Sequence, residues 1–179
     1  MRPFAALLAV AIWLGLLSAP VLAQQPYAGL EERAIKALSD RDVADLRAGR
    51  GMGMALAAEL NGYPGPMHVL ELADSLSLSA EQRDKVQTLF AAMKSEAIPL
   101  GEKLIVQEAE LDQQFAAKTV TPDSLRAALA AIGTTQAALR ETHLKYHLST
   151  LQVLAPGQVD RYRALRGYGG HGMQGHGRH

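Results

Sequence analysis

The chain has 179 residues, with 18 basic and 18 acidic side chains and no cysteine. That excludes disulfides, thiol chemistry and a lipoprotein anchor, and the even charge balance makes no electrostatic case for nucleic acid. Only 5 % of residues are aromatic, while Ala, Leu, Glu, Gln and Arg recur, which suits helices meeting along seams and argues against a β-sandwich.

Arg2 precedes an almost unbroken apolar run over 4–17, which Ser18-Ala19-Pro20 ends and Val21-Leu22-Ala23 follows. This pattern predicts a secretory signal peptide over 1–23, cleaved after Ala23, and therefore an exported protein. The run is short for a transmembrane anchor, and no later stretch is apolar enough to cross a bilayer. Losing Arg2 leaves 17 basic against 18 acidic residues, a net charge of about −1. An exported chain without disulfides has to be held together by packing alone.

Residues 24–65 read as an N-terminal helical segment with a Pro/Gly linker. Ser39 is placed to cap a helix running toward Leu60, and Gly49, Gly51 and Gly53 predict a break near Arg50. Asn61-Gly62-Tyr63-Pro64-Gly65-Pro66 is a stop, followed by a short helix over 67–76. Ser79 and Gln82 form a capping box for a long helix. Val86, Phe90, Met93, Ala97, Leu100, Leu104 and Leu111 make its apolar stripe. Pro99 lies inside that stripe and predicts a kink or a division in two. Thr121-Pro122 starts the next helix, whose stripe is Leu125, Leu129, Ile132, Gln136, Leu139, His143, Tyr146 and Leu151. It should end near Leu154, and a last short helix over 157–165 precedes a Gly-rich tail over 169–179. The expected fold is all-α: a long antiparallel helical hairpin turning at Lys118-Thr119-Val120, with shorter flanking helices.

Two segments repeat each other: Leu78-Ser79-Ala80-Glu81-Gln82 and Leu154-Ala155-Pro156-Gly157-Gln158. Each is a leucine, a helix start and a glutamine four residues after the leucine. Together they resemble the paired Leu-Thr-x-x-Gln motifs of the Spy/CpxP family of periplasmic chaperones and stress proteins, over 66–168. Ser79 and Ala155 stand where that family has threonine, so the second motif lacks a capping hydroxyl. The resemblance implies a periplasmic helical hairpin, often a dimeric cradle. It also implies one of two activities: ATP-independent binding of unfolded or misfolded envelope proteins, or sensing and buffering of heavy metals. The partners to expect are such client proteins, a membrane sensor or a metal efflux system, and a second copy of the chain.

His143 and His147 are one helical turn apart and project from one face, where they can share a metal ion. In a hairpin centred near Thr119, position 143 meets 96 and 147 meets 92, which brings Glu96 and Met93 near the pair. Two imidazoles, a carboxylate and a thioether suit Cu, Ni, Co or Zn. The competing reading is two partly buried histidines hydrogen-bonded across the hairpin. The metal-sensing relatives also carry a His-x-x-x-His pair before the first motif, and only His68, with Glu71 beside it, occupies that region here. In the tail, His171, Met173, His176 and His179 are free to wrap a soft or borderline cation, or merely to solubilise. Met52 and Met54 read as core or interface methionines, with Cu(I) as the chemistry they could otherwise serve. Charged helices interleaved with Leu and Met permit loose binding of unfolded chains. No nucleotide-binding loop, nucleophile elbow or triad is present, so no enzyme and no required cofactor is expected.

Overall fold

The computed structural model describes residues 27–168. The expected signal peptide over 1–23 and the tail residues His171, Met173, His176 and His179 lie outside the described residues. Among the described residues six α-helices follow in order: α1 (Asp40–Arg47), α2 (Leu56–Glu59), α3 (Pro66–Glu71), α4 (Ala80–Ala116), α5 (Pro122–Leu151) and α6 (Pro156–Leu165). The architecture is all-α, with α4 and α5 forming a long hairpin and the shorter helices packed along it. Among the described residues, no helix is long and apolar enough to cross a membrane.

The helix starts form as their sequences dictate. The Ser39 side chain accepts the Asp42 N–H at 3.1 Å, while Asp42 accepts the Ser39 N–H at 2.9 Å. Ser79 and Gln82 make the same reciprocal pair, each bond 3.1 Å, at the head of α4. Thr121 caps α5 through the Ser124 N–H at 3.1 Å, with Pro122 in the first turn. Each device satisfies backbone donors that the first helical turn leaves without partners. The glycine-rich stretch after Arg47 ends α1, with Gly49 and Gly53 left-handed at φ 64° and 79°.

Of the two outcomes expected at Pro99, a kink or a division, the division does not occur: α4 is a single helix of 37 residues. Proline removes one N–H, and here it lies on the exposed side, where the carbonyl it leaves free can meet water. Ala97 and Gly101, both buried, pack the opposite side. Gly101 permits a close crossing, because a Cβ built there would lie 2.9 Å from the carbonyl carbon of Leu46 at the end of α1.

The stripe on α5 differs from the expected one. Leu129 is 52 % exposed and Gln136 is exposed, while Thr135, Thr142 and Thr150 are buried with Ile132, Leu139, His143, Tyr146 and His147. Threonine is small enough for this seam, and at Thr150 it returns its hydroxyl to its own helix, whereas the buried Thr135 hydroxyl has no partner. Thr150 donates to the Tyr146 carbonyl at 2.7 Å.

The core has two centres. One gathers Leu46, Ala97, Leu104, Ile105, Ile132 and Leu139 around the middle of the hairpin. The other gathers Val69, Leu76, Val86, Leu154 and Tyr162 at its open end, where α3 and α6 pack. Along α4 the two are bridged by Phe90 and Met93, and along α5 by His143 and His147. The repeated segments meet within the second centre. Gln82 donates to Gln158 Oε1 at 2.8 Å, and Gln158 donates to Gln82 Oε1 at 3.0 Å. Each glutamine also donates to a carbonyl beside the other motif, Val153 at 2.9 Å and Leu76 at 3.2 Å. Ala155, lacking a hydroxyl, still has its N–H accepted by Gln158 at 2.9 Å.

Candidate functional site

Between the two core centres lies a cavity of about 520 Å³. One wall is the hairpin: Phe90 and Met93 from α4, His143 and His147 from α5. The other is the stretch from α1 to the start of α3, including Gly49–Gly53, Glu59, Gly65, Met67 and His68. The polypeptide lies against both hairpin histidines, at ordinary contact distance at Gly51 and much closer at Gly65. A Cβ on Gly51 would sit 3.6 Å from His143 Nδ1, and one on Gly65 only 2.8 Å from His147 Cε1. Glycine at 65 is therefore a packing requirement, since any side chain would displace the imidazole.

His143 is 2 % exposed, and its Nε2 is buried without a hydrogen-bond partner. An unpaired buried polar atom is costly, so this nitrogen is either tolerated at a loss or meant for a ligand. Burial, and secondarily the neighbouring His147 ring, push the His143 pKa below its ordinary 6.5 and favour the neutral form. His147 is oriented differently: its Nδ1 donates to the Tyr63 carbonyl at 2.6 Å and lies 3.7 Å from Glu59. A carbonyl can only accept, so the proton sits on Nδ1 and the lone pair on Nε2. His68 holds Glu71 through Nδ1 at 3.0 Å, which favours the same tautomer.

Glu59 is the buried carboxylate behind His147, at 6 % exposure. It accepts from Gly65 N–H at 3.3 Å, from Tyr168 at 3.1 Å and from Tyr162. Arg166 lies 3.6 Å away. Burial and the Glu59 charge raise the Tyr162 pKa far above the phenol range, so its hydroxyl stays a donor. A buried charge this fully partnered is a structural anchor that ties α2 and α6 to the base of the cavity.

The residues singled out in the sequence are thus divided. His143, His147, Met93 and His68 line one cavity. Glu96 does not line it: its carboxylate is held by Lys145 and by the Tyr146 hydroxyl at 2.8 Å. These contacts hold the Glu96 pKa below its ordinary 4.5. The register expected from the turn paired 96 with 143, whereas the structure pairs it with 145 and 146. Side chains lean by about one position toward their own helix N-terminus, and in an antiparallel pair the two leanings add. Met52 and Met54 also separate: Met52 lines the cavity, and Met54 packs on the first core centre. The sequence reading missed Glu59, Tyr63 and Met67. The available signal was the spacing of Gly49, Gly51, Gly53 and Gly65, which it took only as helix breaking and not as close backbone approach.

Among the described residues, no three His, Asp or Glu side chains converge closely enough to hold a metal by themselves. The cavity is lined by imidazoles and thioethers, and by the carboxylates Asp45 and Glu59, which are engaged by neighbouring protein groups. A family model described as heavy-metal resistance matches residues 4–161. No curated protein and no solved structure matches the chain.

Proposed function

The chain belongs to the heavy-metal resistance family, which lies in the Spy/CpxP-like group, and on that premise we propose that it is a non-catalytic periplasmic protein that binds a transition metal ion in the cavity between its two core centres, as a sensor or buffer. The observation that carries the reading is His143, a neutral, buried imidazole whose Nε2 has no protein partner and which lines a cavity shared with His147, His68 and Met93. These residues fit a metal: His147 and His68 engage their partners through Nδ1, which leaves Nε2 available, His143 Nε2 has no protein partner, and neutral imidazole is the form that ligates. A bound ion would satisfy the unpaired nitrogen. The expectation of binding unfolded proteins finds no support in the family match, and the metal reading takes its place. A membrane sensor or an efflux system would be the partner that reads or removes the bound ion.

Titration calorimetry of the purified protein with Cu, Zn, Ni and Co tests this. The His143→Ala/His147→Ala double substitution should lower affinity for the bound metal by at least tenfold. Unchanged affinity in the double variant would remove the cavity as the site and leave the His/Met tail as the binder.

A further inference from the structure

We infer that the ion this cavity selects is a soft monovalent cation, Cu(I) or Ag(I), held by His143 together with the thioethers of Met93, Met52 and Met67. The inference rests on the metal reading above and specifies it.

The donor set carries the argument. Three methionines line the cavity, one from each structural source: Met93 from α4, Met52 from the glycine turn after α1, and Met67 from the first turn of α3. Met93 is 6 % exposed, deep beside the hairpin histidines, whereas Met52 and Met67 are 39 % and 40 % exposed at the outer side. A buried imidazole with an unpaired nitrogen and thioethers of graded exposure thus line the same cavity. Thioether sulfur suits Cu(I), whereas Zn and Ni are better served by imidazole and carboxylate.

Carboxylates are withheld from the ion. Glu59 is occupied by Tyr162, Tyr168, Gly65 N–H and Arg166, Glu71 by His68, and Asp45 by Arg41 and Arg50. Glu96 belongs to Lys145 and Tyr146. The absence of a three-residue His/Asp/Glu cluster among the described residues says the same thing from the other side. Charge acts in the same direction. The cavity lining carries four cationic residues, Arg41, Arg50, Lys94 and Arg166, against two carboxylates, Asp45 and Glu59. Coulomb repulsion scales with the charge of the guest, so this balance opposes a dication twice as strongly as a monocation.

The backbone at Met52 adds a separate observation. Met52 is left-handed at φ 46°, between Gly51 and Gly53. That conformation costs a side-chain-bearing residue roughly 1–2 kcal/mol, and glycine or asparagine would adopt it more cheaply.

The test is methyl NMR of the full chain labelled at methionine, titrated separately with Ag(I), as a redox-stable probe for Cu(I), and with Zn(II). Met54, packed in the core, is the internal reference, and Met173 reports the tail. Ag(I) should shift the methyl signals of Met52, Met67 and Met93, leave Met54 in place, and lose this effect in His143→Ala; Zn(II) should not move them. A Met52→Leu/Met67→Leu/Met93→Leu variant, which conserves volume, should bind Ag(I) at least tenfold more weakly while its thermal unfolding stays close to that of the parent. Ag(I) shifts confined to Met173, or undiminished Ag(I) affinity in the triple leucine variant, would overturn the inference. If Zn(II) binding still depended on His143 in that case, the metal reading would stand and only the soft-ion assignment would fall. If neither ion depended on His143, both would fall.

Discussion

Gly101 and Gly133 both lie inside long helices, and replacing each with alanine should move stability in opposite directions. In a helix interior alanine is favoured over glycine by about 1 kcal/mol. A Cβ at Gly133 would meet nothing within 4 Å on the exposed side of α5, so Gly133→Ala should keep most of that gain. At Gly101 the new methyl would lie 2.9 Å from the carbonyl carbon of Leu46 and 3.3 Å from its Cα. Those are backbone atoms with no rotamer to change, so α1 must shift away from α4. Overpacking of this kind costs about 1–3 kcal/mol, which outweighs the propensity gain and leaves Gly101→Ala destabilised by about 1 kcal/mol. For a domain of this size the two variants should melt roughly 2–4 °C above and below the parent per kcal/mol. Circular dichroism during thermal and urea unfolding measures both. The displacement also has a functional readout, because α1 leads into the turn that places Gly51 against His143. Gly101→Ala should weaken metal binding although every donor is intact, and Gly133→Ala should not. If Gly101→Ala stabilised the protein as Gly133→Ala does, the close crossing of α1 over α4 would be wrong.

Two further outcomes follow from the same geometry. Gln82 and Gln158 donate to each other at 2.8 and 3.0 Å, so their alanine substitutions should be strongly non-additive. A double-mutant cycle by urea unfolding should give a coupling of about 1–2 kcal/mol, and simple additivity would mean that the two motifs do not support one another. For pH, the folded chain holds His143 neutral below its ordinary 6.5. Between that value and the lower folded one, the unfolded chain binds the extra proton. Stability should therefore be full above about pH 6.5 and fall as pH drops through the imidazole range. The carboxylate Glu96, held below 4.5, contributes its loss only at lower pH. Urea midpoints between pH 7.5 and 5 should decline in the parent and decline less in His143→Gln; equal slopes would refute the assignment to this ring.

What the sequence determined by itself is the local chemistry. Ser39, Ser79 and Thr121 cap α1, α4 and α5 through partners three residues away, and such bonds need no knowledge of the rest of the chain. The hairpin was legible for the same reason, since a short turn between two apolar stripes leaves one arrangement that buries both. The tertiary structure decided what depends on distance. Whether Pro99 divides α4 depended on its facing solvent while Ala97 and Gly101 are buried. Whether Glu96 meets a histidine or Lys145 depended on how side chains lean across an antiparallel pair. The wall facing His143 and His147 comes from residues 49–68, and the bond from Tyr162 to Glu59 spans 103 positions. Periodicity records which face of a helix is apolar but holds no information about which distant backbone will lie against it. The histidines could be named from their spacing, but the methionines and glycines that complete their cavity became neighbours only when the N-terminal segment folded onto the hairpin.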